Sequence, residues 1–174
     1  MKKSLLQKAK KIKLLIMDVD GVLTDGKIVF DNKGNELKFF DVQDGLGVVL
    51  LKRLGIKTAI ITAKGSKVVE RRALDMQVDR LYQDANHKIK AYEQLLKEFK
   101  FKDEAACFIA DELIDLSVIK RVGFAVAVAN AAPEIKKQAH YITKRKGGQG
   151  AVREVIELIL KSQNLWQKAL RLFE

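Results

Sequence analysis

Short, uninterrupted apolar runs alternate with stretches of helical period along most of the chain. The runs predict strands over Ile12–Met17, Ile56–Ile61, Arg80–Tyr82, Ala105–Ile109, Phe124–Val128 and His140–Ile142. Amphipathic stretches over Leu46–Leu54, Ser66–Met76, His87–Phe99, Leu113–Arg121, Pro133–Gln138 and Ala151–Gln163 predict helices. The strands lack polar alternation, as strands do when helices cover both faces of a parallel sheet. Gly55 stands where the first of these helices should stop, and Pro133 suits the first turn of its own. The βαβ alternation predicts a doubly wound α/β fold, a three-layer sandwich around a parallel sheet. It reads as one domain over residues 1–174, with no repeat, low-complexity tract or linker.

One segment breaks the rhythm. Where a crossover helix should follow the first strand, residues 27–40 hold two β-rich runs flanking the turn sequence Asp31-Asn32-Lys33-Gly34. This predicts a β-hairpin insertion. It carries Ile28, Phe30, Leu37, Phe39 and Phe40, and an isolated hairpin is marginal in water. A cover is therefore expected, from the parent domain or from a second subunit.

Composition narrows the class. Apolar residues make up 48% of the 174, which with one proline and 11 glycines excludes a disordered or collagen-like chain. No apolar run reaches the roughly 18–20 residues of a membrane helix, and the lysine-rich start lacks a secretory cleavage site. Cys107 is alone and cannot form an internal disulfide, so a cytoplasmic protein without a membrane partner is expected. The formal charge is +11, with Lys2, Lys3, Lys8, Lys10, Lys11 and Lys13 concentrating it at the N-terminus. Such an excess suits a small anionic ligand. A basic arm can also touch nucleic acid, but no aromatic residue interleaves with these lysines, and a solvated first helix is the plainer account.

Open α/β sheets bind ligands at the carboxyl ends of their strands. There the first strand runs into Asp18-Val-Asp20-Gly-Val-Leu-Thr24-Asp25. Two carboxylates one residue apart, after a buried strand, need a cation or neutralisation. A hard divalent ion such as Mg²⁺ meets that need through oxygen ligands. Taken alone, an Asp-x-Asp is more often a capping aspartate followed by a turn. The other strand ends change the balance. Thr62 puts a hydroxyl at the rim, Asp111, Glu112 and Asp115 add carboxylates, and Lys88 opens the helix after the third strand. Carboxylates, a hydroxyl and a lysine converging on one edge form a metal-and-phosphate site.

Asp18–Asp25, Thr62, Lys88 and Asp111–Asp115 together resemble the four-motif pattern of the haloacid dehalogenase superfamily of phosphotransferases. Asp41-Val-Gln-Asp-Gly45, Val126-Ala-Val-Ala-Asn-Ala and Gly147-Gly-Gln-Gly-Ala-Val-Arg-Glu154 resemble the 3-deoxy-D-manno-octulosonate 8-phosphate (KDO 8-phosphate) phosphatases, over about residues 12–163. The resemblance implies a Rossmann-like sandwich and a Mg²⁺-dependent phosphomonoester hydrolase of lipopolysaccharide precursor synthesis. It implies Asp18 as nucleophile and Asp20 as general acid and then base. Mg²⁺ would sit on Asp18, the Asp20 backbone carbonyl and Asp111. Thr62 would donate to a phosphoryl oxygen, and Lys88 would neutralise Asp18 and the phosphoryl group together. Around the sugar acid it implies Asp20, Asp41, Gln43, Asp44, Gly45, Val49, Lys64, Arg72 and Lys88. Free N–H groups at the helix start near Asp44-Gly45 would meet a carboxylate or hydroxyls.

The intervals from Thr24 to Thr62 and from Thr62 to Lys88 leave no room for a separate cap domain, so the site is expected to be open unless another subunit closes it. The resembled phosphatases are tetramers in which hairpins associate and neighbouring chains cover the site, and the tail over about residues 165–174 could reach a neighbour too. Some positions depart from the pattern: Ala110 and Glu112 flank Asp111 in place of Gly and Asp, Ala63-Lys64 replaces Gly-Arg, His87 replaces Asp, Gln43 replaces Arg and Asn130 replaces Asp. Ala110 is harmless only where its backbone avoids positive φ. Lys64 keeps a charge but loses the bidentate fork of arginine. The substrate therefore has an alternative, a nonulosonate 9-phosphate. Outside phosphatases the alternatives are a receiver-type domain, disfavoured by the Asp-x-Asp after the first strand, and a nucleic-acid-binding chain.

Overall fold

A computed structural model of the chain describes residues 3–174, so Met1 and Lys2 of the basic arm lie outside the described residues. Its centre is a six-stranded, fully parallel sheet in the order β5-β4-β1-β6-β7-β8. The strands are β1 (Leu14–Met17), β4 (Lys57–Ile61), β5 (Arg80–Tyr82), β6 (Ala106–Ala110), β7 (Phe124–Ala127) and β8 (Tyr141–Ile142). Every residue of β1, β6 and β7 is buried, which is why these runs show no polar alternation. Helices α1 (Lys3–Lys10), α2 (Val42–Arg53) and α7 (Ala151–Ser162) pack together, as do α4 (Lys88–Phe99), α5 (Leu116–Ile119) and α6 (Pro133–Gln138). With α3 (Lys67–Asp75) and α8 (Trp166–Leu170) they make the doubly wound α/β sandwich that the alternation predicts. Among the described residues no helix is long and apolar enough to cross a membrane.

Two helices differ from the sequence expectation for identifiable reasons. Helix α2 begins at Val42, four residues before Leu46, because Asp41 caps it. Its glycines, which break the apolar period, serve close approach. A Cβ at Gly45 would lie 2.2 Å from Arg72 Nη2, and one at Gly47 would lie 2.9 Å from Ile156 Cδ1. At its other end Gly55 takes φ +81° one residue past the cap Leu54, as expected of a terminating glycine. The predicted helix Leu113–Arg121 is instead a 3₁₀ turn, Leu113–Asp115, followed by the short α5. The Asp115 carboxylate folds back onto the Asp111 and Glu112 N–H groups and bends the chain there.

The hairpin is present with strands of two residues each, β2 (Val29–Phe30) and β3 (Glu36–Leu37), paired antiparallel. Asp31 Oδ1 accepts from the Lys33 and Asn35 N–H groups, both at 2.8 Å, and Gly34 supplies the positive φ of the turn. Ile28, Phe30, Leu37 and Phe39 remain exposed on it.

Candidate active site

Met17 pairs with Ile60 on one side and Ile109 on the other, so β1, β4 and β6 run out together. Asp18, Thr62 and Asp111 leave the sheet side by side. With Asp20, Gly26, Ala63, Lys64, Lys88, Glu112 and Ile114 they line an open cleft of about 300 Å³. β1 lies between β4 and β6, where the strand order reverses, the position at which such sheets bind ligands.

Asp18 is buried; its Oδ1 accepts from the Val19 N–H at 2.7 Å and its Oδ2 pairs with Lys88 Nζ at 2.8 Å. Lys88, the first residue of α4, is also buried and meets Asp115 Oδ1 at 2.6 Å. The other Asp115 oxygen is the one engaged by the Asp111 and Glu112 N–H groups. Asp111 Oδ1 is buried without a hydrogen-bond partner.

Carboxylate oxygens of Asp18, Asp111 and Asp115 lie within 4.8 Å of one another. One ammonium faces three carboxylates, leaving two negative charges uncompensated. Burial, reinforced by Asp115, pushes Asp18 up to about 7, and burial reinforced by Asp18 does the same to Asp111. Burial works against the charge of Lys88, yet Asp18 and Asp115 hold it above the ordinary lysine range. A dication supplies the two missing charges, and the orphaned Asp111 oxygen is a hard ligand ready for it. The all-oxygen donor set fits Mg²⁺.

The backbone around this cluster is shaped by glycine. Gly21 has φ +86°, and a Cβ there would sit 1.9 Å from Asp111 Oδ2. Thr24 Oγ1 accepts from the Gly21 and Gly26 N–H groups, closing the β1 loop on itself. The glycine-rich segment after β8 buttresses that loop from behind. The Gly148 N–H donates to Val22 O at 3.0 Å, and the Gly147 N–H donates to Asn130 Oδ1 at 2.8 Å, an acceptor that asparagine provides as well as aspartate. Ala110 is not among the positive-φ residues, so its methyl group costs nothing there.

Of the residues expected at the site, Asp18, Asp20, Thr62, Lys64, Lys88 and Asp111 meet at the cleft. Asp41, Gln43, Asp44, Gly45, Val49 and Arg72 are not among its lining residues; they belong to the first turns of α2 and the helix beside it. Two of the N–H groups at the start of α2 are taken by its own cap. Asp41 Oδ1 accepts from Gln43 at 2.6 Å and Asp44 at 3.2 Å, and Arg72 Nη2 donates to Asp41 O at 3.1 Å. Asp44 turns to α7, where its Oδ1 accepts from the Arg153 N–H at 2.6 Å, and burial pushes it up to about 6.

The sequence reading counted Asp115 only as one more rim carboxylate and gave Lys38 no role. Asp115 pairs with Lys88, and its signal was a position one turn beyond Asp111. Lys38, on the hairpin, puts its Nζ 2.5 Å from Asp20 Oδ1.

The family model described as haloacid dehalogenase-like hydrolase matches residues 74–156. A 3-deoxy-D-manno-octulosonate 8-phosphate phosphatase of Yersinia pestis is 46% identical over 159 residues, 91% of this chain and 85% of that protein. The crystal structure of the enzyme so named from Moraxella catarrhalis, in complex with magnesium, phosphate and KDO, superposes with a TM-score of 0.97 at 41% identity, covering 100% of both chains. A cobalt-bound deoxy-D-mannose-octulosonate 8-phosphate phosphatase of Haemophilus influenzae gives 0.87 at 34% identity, over 91% of this chain and 92% of that one. With the fold, the motif positions and this extent of identity in agreement, the chain belongs to the haloacid dehalogenase-like hydrolases, in the family of the 3-deoxy-D-manno-octulosonate 8-phosphate phosphatases.

Proposed function

We propose that this protein removes phosphate from 3-deoxy-D-manno-octulosonate 8-phosphate with Mg²⁺, in lipopolysaccharide precursor synthesis, using Asp18 as nucleophile. The observation that carries the chemistry is the cluster of buried Asp18 and Asp115 with half-buried Asp111 around Lys88 at the ends of adjacent strands. The substrate follows from what the relatives are named for.

When held by Asp18, the Asp20 carbonyl and Asp111, Mg²⁺ supplies charge neutralisation between carboxylate and phosphate and steadies the phosphoryl oxygens. Asp18 attacks phosphorus; the bond from phosphorus to the sugar oxygen breaks, and that oxygen takes the proton of Asp20. Water then attacks the aspartyl-phosphate, giving its proton to the Asp20 carboxylate, and phosphate departs with Asp18 restored. Lys88 and the Thr62 hydroxyl face the phosphoryl oxygens. Asp115 keeps Lys88 charged and in place.

The chain works as a homo-oligomer, a tetramer, in the cytoplasm. Exposure of Ile28 (71%), Phe39 (67%) and Val42 (79%) on and beside the hairpin supports a subunit interface. A substrate role for Asp41, Gln43, Asp44, Gly45, Val49 and Arg72 rests on the resemblance alone, since none of them lines the cleft and Asp44 and Gly45 are buried in this chain. The test is phosphate release from KDO 8-phosphate, a nonulosonate 9-phosphate and unrelated phosphomonoesters, with and without Mg²⁺. Strong preference for KDO 8-phosphate, abolished in Asp18→Asn, is expected. Hydrolysis retained in that variant removes the mechanism, and equal efficiency on unrelated esters removes the substrate.

A further inference from the structure

Lys38 takes no part in the chemistry above, yet it touches it. Glu36 and Lys38 lie two apart on the returning arm of the hairpin and share a face, while Leu37 and Phe39 point the other way and are exposed. The Lys38 side chain is only 4% exposed. Its ammonium reaches Asp20 Oδ1 at 2.5 Å and Glu36 Oε1 at 3.4 Å. Glu36 is anchored in turn by Lys64 Nζ at 2.8 Å and by the Ser66 hydroxyl at 2.5 Å. A chain of charge-assisted contacts thus runs from the loop before α3, through the hairpin, to Asp20. A buried ammonium is costly, and a mere tether for the hairpin could be made from apolar side chains at lower cost. What needs explanation is why the cation ends on one oxygen of the Asp20 carboxyl group, at the wall of the cleft.

We propose that Lys38 is a positioning residue for Asp20: held by Glu36, it fixes Oδ1 of the carboxyl group and so presents Oδ2 to the departing oxygen of the substrate. The proposal rests on Asp20 being the general acid. An ammonium donates to Oδ1 whether or not Oδ2 carries its proton, so the clamp persists through the step. As the phosphorus–oxygen bond breaks and the sugar oxygen takes the Asp20 proton, negative charge appears on the carboxylate beside a fixed positive charge.

The leaving group provides the test. A sugar alkoxide needs a proton to depart, whereas p-nitrophenolate leaves readily without one. Values of kcat/KM, which report the steps through phosphoryl transfer, are measured for KDO 8-phosphate and p-nitrophenyl phosphate with the full-length protein and its Lys38→Met, Lys38→Arg and Asp20→Asn variants. Lys38→Met is expected to lower the ratio of the two values by about tenfold, in kcat rather than KM, with Lys38→Arg recovering much of it and Asp20→Asn giving a larger change of the same sense. Equal losses on both esters, or no loss, overturn the proposal, because a strut or a phosphate attractor would act on both alike. If Lys38→Met does not fold, Glu36→Gln carries the test: a split of about threefold in the same sense supports the clamp and none overturns it. A split in Asp20→Asn without one in the Lys38 or Glu36 variants sinks the clamp alone, whereas no split in Asp20→Asn sinks the general acid and the clamp with it.

Discussion

Gly147→Ala adds one methyl group at a residue that does not line the cleft, and the structure makes it expensive. The new Cβ would stand 1.7 Å from Gly21 O, 2.5 Å from Gly21 C and 3.1 Å from Thr24 O. All three are backbone atoms, so no side chain can swing aside. Real Cβ contacts are essentially never under 3.0 Å, so the β1 loop and the glycine-rich segment must part by more than about 1 Å. Gly147 does not have positive φ, which leaves the contact itself as the cause. The displaced loop carries Asp18 and Asp20, and the bond from the Gly148 N–H to Val22 O goes with it. A misplacement of about 1 Å costs about 100-fold in turnover. Overpacking of this kind destabilises by about 1–3 kcal/mol, or about 2–4 °C of Tm for each kcal/mol in a chain of this size. Steady-state phosphate release at saturating Mg²⁺ and thermal melting measure the two effects on the same sample. The variant is expected to stay folded at 25 °C with kcat down about 100-fold. Turnover within about threefold of the parent would refute the idea that this segment sets the position of the β1 loop.

Lys88→Met removes the ammonium between Asp18 and Asp115 and leaves buried charge unpaired, a loss of about 3–5 kcal/mol in the metal-free protein together with loss of turnover; an unchanged melting temperature in chelator contradicts this. Mg²⁺ is expected to raise the melting temperature of the parent, by an amount equivalent to about 2.7 kcal/mol at 100 times its Kd, and to do little for Asp111→Asn; equal shifts in both would detach Asp111 from the metal. Asp44 keeps its proton to about pH 6 when folded and to 3.8 when unfolded, so the folded state binds more protons in between and stability falls as pH rises through that window. Asp44→Asn escapes the fall, and urea melts at pH 4 and pH 7 should show the variant gaining on the parent by up to roughly 3 kcal/mol; a pH-independent difference refutes it.

Periodicity carried the sheet and most helices because buried parallel strands leave unmistakable apolar runs. It failed where a single side chain redirects the backbone. Asp41 starts α2 four residues early, and Asp115 converts a helix start into a 3₁₀ turn. Both are polar contacts over two to four residues, to which a hydrophobic pattern is blind. The cleft was legible for the complementary reason: Asp18, Thr62 and Asp111 each follow a strand, and in-register parallel strands align their ends without further information. Lys38 was not legible. The hairpin lies outside the sheet, so nothing in strand order says which face it turns to Asp20, and only folding brings two residues eighteen positions apart within 2.5 Å.

The four aspartates at the rim illustrate how partners, rather than residue type, would separate the roles proposed for them. Asp115 has both oxygens engaged, by Lys88 and by two backbone N–H groups, and holds the ammonium. Asp111 has the opposite character, with a buried oxygen that nothing in the described residues satisfies. Asp18 lies between them, one oxygen on its own neighbour's N–H and the other on Lys88, oriented but reachable from the cleft. Asp20 stands apart from the buried cluster, with a more exposed side chain and a lysine of its own. Ligand, nucleophile, lysine anchor and proton carrier make different demands of a carboxyl group: an open lone pair, a fixed direction, a hold on the ammonium, and access to both water and substrate. Exchanging any two of the four would give each the wrong surroundings. Asn at 18, 20, 111 and 115 is therefore expected to fail in four different ways, separable as loss of aspartyl-phosphate, loss of leaving-group assistance, loss of Mg²⁺ response and loss of the Lys88 charge; four indistinguishable kinetic defects would show that the differences in partner do not matter.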